Sequence, residues 1–566
     1  MTALLLLWAA MLPALMALGW LSLRAVCAAP AENPLDGAFE TFWIGLTVAA
    51  AVLLLIGLVG PVGDWALLAL LLAGVAAAPR MRLPYGTRRT DIALVAAACG
   101  LAAWIAAGRV VYFDTAYYHL QAVRMLHAFG VLQGAHLIAE VYGSVSSWFA
   151  LAAPFDGERG GAGVFNGLAT GMAMAQALVA FRRIVRREGT AGDTVLCIGL
   201  TLSVGLVLRW YMVASVTPDL PLLFIPPVLG WMLMRRPPED MAPILLAAGA
   251  ATVKLSAAPL VLVVMAWGLW RAPDRLRRLV RYAAAGLPFA VAMTGAFVLA
   301  SGCFVFPVAA TCFDVGWGMP PDQVAEFALR VATGAGTGGS AHAVAAGIEA
   351  PLDRLWFWMR RDTSSAALAL AFLTAAAVVL PVLRRPAMDG LRWPLALSLA
   401  GVLYVAATAP VGRFAGGYIA LALGIAAVCA WRSPAMRSII GGIPSQSRMA
   451  VAVLGPCVAA VLFGLARLSA PLAGETARLE AAIAAGLLPS VAERPRSLTP
   501  LPVVPYVLNG ADPALPVRYR SVERDGVAFF QPEGGGACWT HEPPCGVAAR
   551  LADLARGLRG GLVRER

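Results

Sequence analysis

One polar stretch of this 566-residue chain collects side chains that can exchange protons. It runs from Arg109 to Trp148, and its carboxylates and histidines are Asp114, His119, His127, His136 and Glu140. Carboxylates and imidazoles are the usual general acids and bases of enzymes. The chain is 60% hydrophobic and only 13% charged. Such a concentration of polar groups makes this stretch the first candidate for a reaction site.

Asp114 is the leading candidate within this stretch because it directly follows an apolar run, in FDTAYYH. A carboxylate there could deprotonate or orient an acceptor hydroxyl, with His119 assisting by hydrogen bonding. The alternative is that Asp114 caps a helix that begins after it. Glu140 is a weaker catalytic candidate, with a solvated loop charge as its alternative. Two such carboxylates would also suit a divalent cation such as Mg²⁺ or Mn²⁺, and the sequence leaves metal use open.

Cationic side chains that could bind a phosphate lie further along the chain. Lys254, the only lysine of the chain, lies in an apolar segment, and Arg413 lies in APVGRFAGGY. Ionisable groups inside apolar segments are functional candidates, and both cations suit phosphate oxygens. Asp219, in the motif TPD, is expected at the same site. The alternatives are a structural ion pair of Lys254 with Asp219, a salt bridge of Arg413, and a capping role for Asp219.

Aromatic residues and cysteines complete the candidate set. Tyr118 and Trp317 are expected to contact a substrate, although Tyr118 could instead be an interfacial aromatic. The disulfides expected are Cys303–Cys312 in a long polar loop and Cys538–Cys545 in the C-terminal tail.

The elements that must hold these residues are membrane-spanning helices. The mean hydropathy is +0.75, and apolar runs of roughly 17–25 residues recur, which is the length that crosses a bilayer. We count about 12–14 transmembrane helices in this way. The net charge of +12 lies mainly in short loops between these runs, which sets topology and argues against nucleic-acid binding.

The arginine-rich loops predict which polar segments share a face. With those loops on the cytoplasmic side, the external loops are 109–148 and 302–364, together with the segment that carries Arg413. Residues 241–270 have basic flanks on both sides, so they must enter and return as a hairpin of two short helices with Lys254 at its tip.

The predicted organisation has three parts. Residues 1–90 are N-terminal transmembrane helices, 91–470 form a transmembrane core with external loops 109–148 and 302–364, and 471–566 form a small external α+β domain. The fold class is therefore an all-α polytopic membrane protein. Surface helices in the first large external loop are expected from the spacing of apolar residues in AYYHLQAVRMLHAFGVL, which predicts a helix lying on the membrane.

This layout resembles the GT-C superfamily of polytopic glycosyltransferases, which take sugars from polyprenyl-phosphate carriers. The words FDTAYYHLQAVRMLHAFGVLQGAHL, SVSSWF, TPDLP, KLSA, FVFP, GRFAGG and CWTHEPPC look closer still to a group of bacterial integral membrane proteins without an assigned reaction. The superfamily resemblance implies a catalytic acid in the first external loop, where Asp114 lies. It also implies basic residues for the carrier phosphate, matched here by Lys254 and Arg413.

The function expected from this resemblance is transfer of a sugar from a polyprenyl-phosphate donor to an envelope glycan, lipid or protein. The expected location is the bacterial inner membrane, with the site facing the periplasm. The alternatives are a transporter or flippase for a lipid-linked glycan, and a non-catalytic envelope assembly protein.

Overall fold

The computed structural model is almost wholly helical in the residues that it describes. It describes residues 2–432 and the strand pair at 519–524 and 527–532, with gaps at 32, 78–87, 109, 111, 113, 156–162, 271, 334–355, 357–362 and 381–389. Seven of the described helices are long and apolar enough to cross a membrane, and shorter apolar helices accompany them. These helices confirm the prediction of an all-α polytopic protein.

The described helices follow one another along the chain in the order given next. They are α1 (Thr2–Ala25), α2 (Pro34–Gly57), α3 (Asp64–Ala77), α4 (Arg89–Ala106), α5 (Leu120–Phe129), α6 (Ser147–Ala152), α7 (Val164–Val185), α8 (Ala191–Arg209), α9 (Asp219–Arg235), α10 (Ala242–Val253), α11 (Ala258–Trp270), α12 (Arg275–Ser301), α13 (Pro321–Thr333), α14 (Thr363–Val379), α15 (Arg392–Thr408) and α16 (Gly412–Arg432).

One end of the bundle, here called the arginine end, is held by buried ion pairs between helix termini. Arg183 at the end of α7 lies 2.7 Å from Asp36 of α2 and 3.3 Å from Asp193 of α8. Arg235 at the end of α9 lies 2.9 Å from the same Asp36. Its neighbour Arg236 pairs with Glu40. These bonds place the starts of α2 and α8 beside the ends of α7 and α9, as the arginine pattern predicts.

The segment 241–270 forms the predicted hairpin of two short helices. At 12 and 13 residues, α10 and α11 are each roughly 18–20 Å long at 1.5 Å per residue, so neither crosses a bilayer core of roughly 30 Å. The guanidinium of Arg278 donates to Gly268 O at 2.6 Å and to Pro238 O at 3.3 Å. Both outer ends of the hairpin therefore lie at the arginine end, and Lys254 lies at its inner tip.

The first polar loop lies at the opposite end, here called the loop end. The predicted helix is present as α5, but its apolar side chains Leu120, Val123 and Leu126 are buried in the protein core. Backbone bonds fix the loop on the end of α2, from Val62 N to Leu126 O at 2.9 Å and from Val131 N to Gly57 O at 2.7 Å. The expectation that this helix turns its apolar side to the membrane surface is therefore wrong, because that side packs on α2 and α6.

The second polar loop packs on the first. Cys303 and Cys312 form the expected disulfide just beyond α12. A Cβ on Gly143 would lie 3.1 Å from the ring of Phe306, and Glu140 pairs with Arg330. The first loop also bonds to the end of α12, where Gly134 N donates to Leu299 O at 2.8 Å. The two loops thus form one surface at the loop end.

Of the predicted C-terminal α+β domain, the structure describes one antiparallel hairpin. Its strands are β1 (Tyr519–Arg524) and β2 (Val527–Pro532), with Tyr519 opposite Pro532. Cys538 and Cys545, with their predicted disulfide, lie outside the described residues.

Helices α1 and α2 touch backbone to backbone, which generates a stability prediction. A Cβ on Gly45 would lie 1.8 Å from Leu15 O, whereas a Cβ on Gly100 of α4 would meet nothing within 4 Å. We expect Gly45→Ala to cost about 1–3 kcal/mol through overpacking. Gly100→Ala should be neutral or stabilising by about 0.5–1 kcal/mol. Thermal unfolding of both variants in the same detergent checks this, and equal stability would contradict the close helix contact.

Candidate functional site

The site is built around Asp219, the first residue of α9. Its side chain is only 3% exposed. Tyr112 donates its hydroxyl to Asp219 Oδ2 at 3.1 Å, and the Asp219 backbone N–H donates to Thr217 Oγ1 at 3.3 Å. The start of a helix favours a negative charge, so this position suits a buried carboxylate.

Two cations from distant parts of the chain meet at this carboxylate. Lys254 Nζ lies 2.5 Å from Asp219 Oδ1, and Arg413 Nε lies 3.1 Å from Asp219 Oδ2. Lys254 reaches it because the α10–α11 hairpin stops part-way through the bundle. Arg413 reaches it from the first turn of α16. Lys254 and Arg413, which the sequence predicts to bind phosphate, therefore lie together. Both form ion pairs in this structure, which was the alternative interpretation of each.

Asp114 joins the cluster through Arg413. Arg413 Nη2 lies 2.8 Å from Asp114 Oδ2, and the two side chains are 33% and 18% exposed. Asp114 stands at the cap position of a π-helical turn, Thr115–His119, but its side chain makes no capping hydrogen bond. The capping interpretation of Asp114 is thus wrong, because its carboxylate is turned to Arg413. Single π-helical turns often occur at functional sites.

Aromatic rings surround the two cations. Lys254 Nζ lies 3.4 Å from the centroid of the Phe414 ring, and the Arg413 guanidinium carbon lies 5.2 Å from the same centroid and 5.7 Å from that of Tyr112. Cations are attracted to such ring faces, most strongly where water is excluded. Phe414 therefore helps to hold both cations at the cluster, and Tyr112 helps to hold Arg413.

His119 lies behind the cluster and is 1% exposed. Its ring centroid is 6.0 Å from that of Tyr112, 4.3 Å from that of Tyr118 and 5.1 Å from that of Phe149. Its Nδ1 has no hydrogen-bond partner among the described residues. Burial is the main cause that lowers the pKa of His119 from 6.5 to about 4, so the imidazole is neutral at pH 7.

Serines of the first polar loop fix the hairpin tip. Ser146 Oγ donates to Val253 O at 2.7 Å, and Thr252 Oγ1 donates to Ser147 Oγ at 2.8 Å. Tyr418 of α16 donates to Ser256 O at 2.7 Å. These bonds set where Lys254 lies relative to Asp114.

Sequence reasoning missed several residues of the site. The roles of Tyr112, Phe414 and Tyr418 were not predicted, although Tyr112 and Phe414 each lie within two residues of a predicted site residue. That proximity is the only signal of their roles that the sequence offers. The serines before Trp148 contact the hairpin, but nothing in their sequence indicates that contact.

Glu140 and Trp317 lie in the contact between the two polar loops. Glu140 pairs with Arg330 of α13, and Trp317 Nε1 donates to Val298 O at 3.1 Å. Glu140 is thus in an ion pair with Arg330 rather than a solvated loop charge. Their catalytic and binding roles stay predictions. Within the described part of the chain, no three His, Cys, Asp or Glu side chains are grouped to hold a metal ion.

Fold and site define a polytopic helical membrane protein with a charge-neutral ion cluster at one end of its bundle. The chain belongs to the family Domain of unknown function DUF8201, whose sequence model matches residues 1–420. The match therefore includes Asp114, Asp219, Lys254 and Arg413. Neither a curated protein nor a solved structure matches the chain.

Burial of neutral His119 makes stability depend on pH. The pKa is about 4 in the folded protein against an ordinary value of 6.5. Between these values the unfolded chain binds more protons, so stability is full above pH 6.5 and falls as the pH drops to 4. The slope of this contribution is at most about 1.4 kcal/mol per pH unit. We expect His119→Phe, which fits the aromatic surroundings, to flatten the acid side of the Tm–pH curve. An unchanged curve would contradict the assignment.

Removal of Lys254 should destabilise the protein by leaving Asp219 underpaired. For Lys254→Met we expect a loss on the order of 2–4 kcal/mol, moderated because Arg413 remains. Asp219→Asn added to Lys254→Met removes the unbalanced charge and should recover most of that loss. Thermal unfolding of the single and double variants in detergent measures the coupling, and simple additivity would contradict a direct pair.

Proposed function

We propose that this protein is a membrane glycosyltransferase of GT-C type, which transfers a sugar from a polyprenyl-phosphate donor to an envelope glycan, lipid or protein acceptor. One observation carries the proposal: Lys254 and Arg413 meet beside the carboxylate of Asp114, at the tip of a hairpin that stops inside the bundle. A phosphate on a lipid anchor lies near a membrane face, where such cations can receive it. An acceptor hydroxyl can approach from the loop end.

In the proposed reaction the acceptor oxygen forms a bond to the anomeric carbon of the sugar. The bond from that carbon to the carrier-phosphate oxygen breaks, and its electron pair stays on the phosphate. Lys254 and Arg413 stabilise that leaving group, and Asp114 takes the proton of the acceptor hydroxyl. The sequence predicts that His119 assists by hydrogen bonding. Because its ring is buried against Tyr118 and Phe149, we instead assign it a positioning role that supports the π-helical turn.

The proposed location is the bacterial inner membrane, with the site on the periplasmic face. Arginine-rich loops favour the cytoplasmic side, which puts the arginine end inside and the loop end outside. The Cys303–Cys312 disulfide at the loop end supports this orientation, because disulfides persist in oxidising compartments.

A flippase or transporter for a lipid-linked glycan would use the same cations. Carrying a phosphate across the membrane needs no group that accepts a proton from an acceptor hydroxyl. Asp114 therefore separates the two functions, because only sugar transfer requires its carboxylate.

The test compares a deletion strain with strains that express the protein or its Asp114→Asn variant. Mass spectrometry of envelope glycans and lipid carriers should show a missing sugar in the deletion, restored by the wild type. Asp114→Asn should lower transfer by about 10²–10⁴-fold, the usual size of a general-base contribution.

The matched control is Glu188→Gln, which removes another arginine-paired carboxylate, at the arginine end. It should restore the sugar fully, and membrane levels of both variants are measured alongside. Full transfer by Asp114→Asn would exclude the proposed mechanism, and an unchanged envelope in the deletion strain would exclude the proposed function.

A further inference from the structure

Asp114 and Asp219 both pair with the guanidinium of Arg413, but they differ in burial and in the number of their polar partners. Asp219 is 3% exposed and also contacts Lys254 and Tyr112. Asp114 is 18% exposed, and within the described residues Arg413 is the only polar partner of its carboxylate. An anion that competes for Arg413 would therefore displace Asp114 and leave Asp219 in place.

The contact made by Asp114 is also the one that a phosphate would need. It engages Nη2, at the outer edge of the guanidinium, and phosphate oxygens bind to that edge of arginine. Arg413 is 33% exposed and Lys254 27%, so both cations remain reachable from outside the cluster. Nε of Arg413 faces buried Asp219 and is not reachable in the same way.

We infer that Asp114 occupies the phosphate position of the resting site, so that binding of the carrier phosphate releases it. The identity of this ligand rests on the proposed function. When the phosphate replaces the Asp114 carboxylate, the guanidinium of Arg413 still has an anionic partner. The buried charges around Arg413 therefore stay paired. The freed carboxylate can then meet the acceptor hydroxyl. The order of binding is donor first and acceptor second, which prevents Asp114 from acting before a sugar is present.

This competition makes an unusual prediction about Asp114→Asn. Phosphate binds only to the fraction of protein in which Arg413 is not paired with Asp114. The apparent affinity for phosphate is the intrinsic affinity multiplied by that fraction. A partly exposed ion pair of this kind favours the closed state roughly 2–5-fold. Removal of the carboxylate should therefore tighten phosphate binding by about the same factor, although the same variant transfers sugar far more slowly. If Asp114 instead helped to bind the phosphate, the same variant would weaken binding.

The measurement is titration calorimetry of the full-length protein in detergent with farnesyl monophosphate, and with inorganic phosphate in parallel. Glu188→Gln is the control, because it removes the same unit of negative charge from another arginine pair. We expect Asp114→Asn to bind phosphate more tightly than the wild type and Glu188→Gln to bind it equally well. The double variant Asp114→Asn/Arg413→Gln should not show the tighter binding. The lipid form should bind more tightly than inorganic phosphate.

Unchanged or weaker binding by Asp114→Asn overturns the inference, as does absence of binding to every variant. Equal affinity for the lipid form and inorganic phosphate would overturn the carrier-lipid assignment. These results are independent of sugar transfer. If Asp114→Asn binds phosphate more tightly but the deletion strain has an unchanged envelope, the competition between Asp114 and phosphate stands. The glycosyltransferase function is then rejected.

Discussion

The buried carboxylate of Asp219 is the constraint on which the rest of the site depends. A lone buried charge is costly, and Asp219 is stable at the start of α9 because Lys254, Arg413 and Tyr112 all reach it. Three separate chain segments must therefore meet at one point. The cluster as a whole is neutral, since Asp114 balances the second cation.

The fold meets this requirement with a hairpin that ends inside the bundle. Had α10 continued as a full span, Lys254 would not be at a chain reversal and could not face the start of α9. Ser146 and Ser147 of the first polar loop fix that reversal from the loop end. The ion pairs of the arginine end fix α9 at its other terminus, through Arg235 and Asp36. Site geometry is thus set by bonds at both ends of the helices.

Much of this architecture was predictable from local patterns, because membrane spans need long apolar runs and arginines mark one face. The basic flanks of 241–270 predicted the hairpin with Lys254 at its tip, and the ion pair of Lys254 with Asp219 was the alternative to phosphate binding. The pairing of Asp114 with Arg413, separated by 299 positions, depends on how α16 packs against the first loop. No local pattern shows that packing. The apolar side of α5 packs on protein, whereas the sequence predicted that it faces the membrane. Apolar periodicity does not distinguish a protein neighbour from lipid.

The central claim is that Lys254 and Arg413 receive a lipid phosphate while Asp219 keeps them in place. The most direct measurement is an electron cryomicroscopy structure of the full-length protein in nanodiscs with a bound polyprenyl monophosphate. The account predicts phosphate density within hydrogen-bond distance of Lys254 Nζ and Arg413 Nη2, with Asp114 turned away and Asp219 unmoved. Phosphate bound elsewhere, with the Asp114–Arg413 pair intact, would contradict it.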